Sequence, residues 1–150
     1  MQTMPAHLQP ASRDAMSANV YSFRGSVCIT GRCLNEVDPD ACIPFFQSYD
    51  QVYSVCLEST HVNMLITKLT AVLATGQVHR LDFASVDRSP HCTQLHYVQH
   101  EIERVLPHHI PMAHFVLHEG ILAPVSMQAI ECSKSLAMLS SIMAERKIPQ

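Results

Sequence analysis

The chain has no tryptophan and only four glycines, Gly25, Gly31, Gly76 and Gly120. Neither G-x-G-x-x-G nor G-x-x-x-x-G-K-[ST] can be written with them. Those glycines are what let backbone approach a dinucleotide or triphosphate closely, so a nicotinamide (NAD) or ATP site is disfavoured. No C-x-x-C pair occurs either. Its absence argues against a zinc ribbon, a thioredoxin-type motif and an iron–sulfur cluster of the ferredoxin kind. The residues six after Cys56 and Cys92 are Val62 and Val98, which removes the C-x5-R pattern of thiol phosphatases.

No apolar run approaches the roughly 20 residues that a membrane-spanning helix needs, so membrane insertion is not expected. A formal charge of −3, with no Lys/Arg cluster, leaves no electrostatic footprint for nucleic acid. The first 18 residues are rich in Ala, Ser and Pro and lack the apolar centre of a signal peptide. They are expected to form a disordered leader, residues 1–18, ahead of a single domain, 19–150, in a cytoplasmic protein.

What is present suits a packed domain. Apolar residues make up 47% of the 150, enough chain to bury a core without staples. The 15% charged content is lean, which fits a homo-oligomer or a protein partner, and a small-molecule ligand fits as well. Six cysteines are expected to stay reduced in such a compartment. Ten histidines are present, six of them from His91 to His114.

Runs of strand and helix character alternate along the sequence. "VYSFRGSVCITG" reads as a hairpin or one bent strand, and Asp38-Pro39 as a helix cap followed by proline at the first helical position. "VYSVCLES" is a short strand. Val62, Leu65, Ile66, Leu69, Val72 and Leu73 then fall at helical spacing up to Gly76. "VHRLDFASVD" is the next strand, and Leu95, Val98, Ile102 and Val105 mark the following helix. "PMAHFVLH" and "ILAPV" pair as a hairpin about Glu119-Gly120. A last helix begins at Ser126, with Cys132, Leu136, Leu139 and Met143 along one stripe. This order predicts an α/β fold: a small, mostly parallel sheet of βαβ units with flanking helices and an antiparallel edge.

In such sheets ligands gather beyond the carboxyl ends of the strands. Two strand-to-helix loops, "CLESTH" and "DRSPHC", bring chemistry there. A pocket lined by Cys56, Glu58, Ser59, Asp87, Ser89, His91, Cys92 and His96 is expected. Cys56, His91, Cys92 and His96 are donors of the kind zinc prefers. Alternatively Cys92, beside a helix start, is a reactive thiol, with His91 or His96 as base, Asp87 orienting one of them and Cys56 as resolving partner. Ser59, Ser89 and Thr93, with Glu58, supply polar contacts for a bound ligand.

Cys56-Leu57-Glu58 and His91-Cys92 resemble the Cys-x-Asp-x-Arg and His-x-x-Cys elements of β-class carbonic anhydrases. Here Glu replaces Asp, His61 stands nearby where the family has Arg, and the second element lacks its two spacer residues. No activity is carried over.

The functional expectation is therefore a small α/β protein with a His/Cys pocket for metal or thiol chemistry, an accessory subunit in redox metabolism. The alternative is a non-catalytic interaction or scaffold module. In the bland reading Cys28, Cys33, Cys42 and Cys132 are packing residues, and His100, His108, His109, His114 and His118 face water.

Overall fold

The computed structural model describes Pro5, Gln9 and residues 13–146. Five strands form one sheet: β1 (Gly25–Gly31), β2 (Gln51–Val55), β3 (Val78–Val86), β4 (Met112–His118) and β5 (Ile121–Val125). Their order is β2-β1-β3-β4-β5, parallel throughout except for the antiparallel pair β4–β5. The helices are α1 (Leu34–Val37), α2 (Pro39–Phe46), α3 (Val62–Ala74), α4 (Pro90–Thr93), α5 (Val98–Val105), α6 (Met127–Ser133) and α7 (Leu136–Arg146). The fold is the α/β arrangement expected, with its antiparallel edge.

Crossover handedness accounts for the layering. From β1 the chain steps one way along the sheet to β2, then back past β1 to β3 and on to β4. Right-handed crossovers in opposite directions must lie on opposite faces. On one face Cys42 and Phe46 of α2 meet Cys28, Val52, Ala84 and Leu117. On the other, Leu65, Leu69 and Val72 of α3 and Val98 and Ile102 of α5 cover Val27, Ile29, Tyr53, Leu81 and Phe83. The alternation of a pleated strand divides Val27 and Ile29 from Cys28 in the same way.

Local chemistry sets the ends of the elements. The Asp38 carboxylate accepts from the Ala41 amide and starts α2, with Pro39 in its first turn. Glu119 and Gly120 have φ of 49° and 76°, the left-handed backbone that a tight hairpin between right-twisting strands requires. The Ser126 hydroxyl accepts from the Ala129 amide and starts α6.

Three stretches differ from expectation. "VYSFRGSVCITG" yields one central strand, β1, preceded by a single 3-10 turn at Val20–Ser22. The helix after β3 is broken into α4, a 3-10 turn at Gln94–Tyr97, and α5. The last helix is interrupted at Lys134 and Ser135, and α7 fully buries none of its residues: Leu136 and Met143 of the expected stripe are exposed, Cys132 and Leu139 half-buried.

Much of the expected leader lies outside the described residues. From Arg13 onward the chain is packed: Ser54 donates to the Arg13 carbonyl and Ala15 donates to the Ser54 carbonyl, each at 2.8 Å. This short run lies along the outer edge of β2, and Ala15 is fully buried.

One buried charge sits in the sheet. Asp82 of β3 is fully enclosed and accepts from Tyr49 Oη at 2.7 Å, Arg80 Nε at 2.9 Å and the Ala113 amide at 3.0 Å. Every donor that such a carboxylate needs is supplied.

Candidate functional site

The chain reverses its direction of travel along the sheet at β1, so the loops after β1 and β3 leave adjacent strands toward opposite faces. That divergence opens a crevice at the carboxyl ends of the strands. A cavity of about 80 Å³ lies there, and Arg32, Cys33, Cys56, Glu58, His91 and Cys92 line it. Three thiols thus arrive from three consecutive strand ends: Cys33 after β1, Cys56 after β2 and Cys92 after β3. Gly31 makes the approach possible, because Cys92 Sγ occupies the space in which a side chain at that position would sit.

The thiols are not equivalent. Cys56 is half-exposed, in the turn that follows β2. The Ser59 hydroxyl and amide both donate to the Cys56 carbonyl at 3.2 Å, which sets them beside its sulfur. With the Glu58 amide and, more weakly, Arg32, these donors hold the thiol below its ordinary range. Cys33 moves the other way: desolvation first, then the neighbouring Cys92 and Cys56, push it up. Cys92 is buried in α4. This helix is a single turn of four residues, too short to supply the helix-start electrostatics expected to activate that thiol.

Other expected residues have defined places. The Ser89 hydroxyl accepts from the Cys92 amide at 3.4 Å and caps α4, and Thr93 Oγ1 donates to the Ser89 carbonyl at 2.8 Å. Ser89 lines the three-thiol cavity, whereas Ser59 lines a neighbouring one with Glu58 and His61. His91 is exposed beside Cys92. Asp87 does not orient it: the Asp87 carboxylate takes His118 Nδ1 at 3.0 Å and the Arg88 amide at 3.0 Å.

His96 leaves the expected set altogether. Its Nε2 lies 2.7 Å from Ser85 Oγ and its Nδ1 lies 3.0 Å from His114 Nδ1, so both ring nitrogens are engaged away from the thiols. The ring is buried, as is His114, which was expected to face water. The 3-10 winding at Gln94–Tyr97 buries Leu95 and His96 together, a placement that a regular helix pattern did not indicate. Among the described residues no three His, Cys, Asp or Glu side chains stand in a geometry that would hold a metal ion. Cys56, Cys92, His91 and His96 are therefore not gathered as a zinc set.

Of the bland expectations, Cys28 and Cys42 are buried packing residues, while Cys132 is half-buried with its Sγ 3.5 Å from Met138 Sδ. His100 is paired with Glu131 at 2.6 Å.

Sequence reasoning missed two contributors. Cys33 was assigned to packing because β1 was not recognised as a parallel strand whose end feeds the first strand-to-helix loop. Ser85 was missed although Leu81, Phe83 and Ser85 alternate, which marks Ser85 as a polar group on a core face.

Comparison with protein-family models, with curated proteins and with solved structures finds no match to this chain. What the fold and site define is a class: an α/β protein with three thiols at the switch point of its sheet. No helix among the described residues is long and apolar enough to cross a membrane.

Proposed function

We propose that the protein carries out thiol–disulfide exchange, with Cys56 as the attacking thiol and Cys33 as the resolving one. The observation that carries this reading is the opposite displacement of two thiols lining one cavity, Cys56 toward the thiolate and Cys33 away from it. A thiol displaced toward its thiolate is the better attacker, and a neighbour displaced the other way competes with it less.

In the first step Cys56 Sγ bonds to one sulfur of a small-molecule disulfide, and the other sulfur leaves as a thiolate. Cys33 then loses its proton and attacks Cys56 Sγ, releasing the second thiolate. The protein dithiol becomes a disulfide and the substrate becomes two thiols once each thiolate takes a proton. Cys92 packs beside the pair and shapes the cavity. Arg32 is on the same wall, its guanidinium paired with Asp14 at 3.1 Å.

The test is exchange with 5,5′-dithiobis(2-nitrobenzoate) followed by intact mass. Cys33→Ser is expected to accumulate a mixed disulfide on Cys56, and Cys92→Ser is expected to clear it. Cys56→Ser is expected to lose fast exchange. Equal rates in the wild type and in Cys56→Ser would overturn the proposal. So would a mixed disulfide that clears normally in Cys33→Ser.

A further inference from the structure

On the far side of β3 from the thiols lies a directed hydrogen-bond chain. Gln99 Nε2 donates to the Glu103 carboxylate at 2.7 Å, which fixes the orientation of the amide, because a carboxylate only accepts. Gln99 Oε1 must then accept the proton on His114 Nε2, 2.8 Å away. With its hydrogen there, neutral His114 presents Nδ1 as an acceptor. His96 Nδ1, 3.0 Å off, is therefore the donor. That leaves His96 Nε2 as a bare lone pair 2.7 Å from Ser85 Oγ, and the hydroxyl donates to it. The chain runs in one sense only, from Ser85 through His96, His114 and Gln99 to Glu103.

This is the tautomer that a serine nucleophile requires of its base. Ser85 and His96 also line a cavity of about 160 Å³, with Val86, Tyr97, Val116 and Ile130 forming much of its apolar wall. Pockets that enclose drug-sized ligands are of about 300 Å³ or more, so this one suits a short aliphatic group. Arg88 lines the same cavity and has φ of 63°, a left-handed backbone unusual for a residue with a side chain. Such strain concentrates at functional sites.

We infer that Ser85 and His96 form a second catalytic site, which hydrolyses esters of short acyl chains. Ser85 Oγ bonds to the carbonyl carbon while its proton passes to His96 Nε2. The tetrahedral intermediate collapses, the ester C–O bond breaks, and His96 returns the proton to the departing alkoxide. Water then attacks the acyl-serine, His96 takes a proton from it and delivers it to Ser85, and the carboxylic acid leaves. His114 is a positioning residue: it accepts from His96 Nδ1 throughout, which holds the ring in register and offsets part of the burial cost of the transient imidazolium.

The test is labelling of the full chain with an alkyl fluorophosphonate, in which the Oγ–P bond forms and fluoride leaves. A single adduct, mapped to Ser85, is expected. Butyryl ester should protect against it and decanoyl ester should not. His96→Gln is expected to slow labelling at least a hundredfold. His114→Asn, which keeps an acceptor, should retain more labelling than His114→Phe. Because Ser85→Ala could disturb packing, Ala129→Phe offers a second arm: Ala129 is exposed on α6 and lines the cavity, so the folded variant should resist labelling. A folded wild type that takes no adduct, an adduct elsewhere, or full labelling of Ala129→Phe would overturn the inference.

Discussion

Cys92 Sγ lies directly over the α-carbon of Gly31, where an added Cβ would stand 2.9 Å from the sulfur. Gly31 is thus the floor beneath one of the three thiols. Its backbone φ is not in the left-handed region, so the constraint is space alone. Gly31→Ala should displace the Cys92 side chain by rotation and cost about 1 kcal/mol, the mild end of overpacking. The expected outcome is a small drop in urea midpoint together with a changed rate of Cys92 alkylation. An unchanged rate would mean that the sulfur had not moved.

Cys56 should titrate below an ordinary cysteine because Ser59 and the Glu58 amide stabilise its thiolate. A thiolate made easier to form appears at lower pH, so removing a donor must move the midpoint upward. Ser59→Ala is expected to raise the pH midpoint of Cys56 alkylation, read by quenched iodoacetamide labelling and mass mapping. A downward shift would contradict the assignment of donors.

The Asp82 carboxylate depends on partners from three places in the sequence. Asp82→Ala leaves the Tyr49 hydroxyl without its acceptor and should cost about 3 kcal/mol in equilibrium unfolding, typical of breaking a buried charged pair. Tyr49→Phe removes one hydrogen bond to the same charge and should cost less, about 2 kcal/mol. Reversal of that order would place the main load on Tyr49 packing.

Burial holds His96 down at about 4, and burial with the neighbouring His96 and His100 holds His114 down at about 3, against 6.5 for a free imidazole. Between 6.5 and these values the unfolded chain binds protons that the folded chain refuses. Unfolding is therefore favoured as pH falls. Stability from these groups is complete above about pH 6.5 and declines steadily toward pH 4 and below. Urea midpoints measured across that range should fall, and His114→Gln should flatten the slope.

Leu136 is 81% exposed on a helix with no buried residue. Leu136→Ser should change the unfolding free energy by no more than about 0.5 kcal/mol, as a surface change does. A larger loss in dilute solution would show that α7 is covered there.

The fold was legible where local signals were strong and agreed with one another. Leu65, Leu69 and Val72 repeat at helical spacing and are all buried, and Glu119-Gly120 marks its turn by backbone need alone. The site was legible in part. Cys56, Glu58, His91 and Cys92 share one cavity because parallel strands bring successive loop starts together. His96 and His114 were misplaced for a common reason. Their partners are each other, Ser85 and Gln99, and contacts across 18, 11 and 15 residues leave no local signal. Cys33 was hidden because Gly25 and Gly31 resemble turn residues, although one serves close approach and not a bend.

The short pairing of Arg13 and Ala15 with Ser54 has a consequence for handling the protein. Without it the outer strand would present the bare amide and carbonyl of Ser54 at its rim, a point at which another strand could pair. A chain trimmed past Ala15 would leave the amide and carbonyl of Ser54 open to pairing. The packed segment ahead of the first strand acts, in effect, as a selvedge that closes the rim of β2 at Ser54.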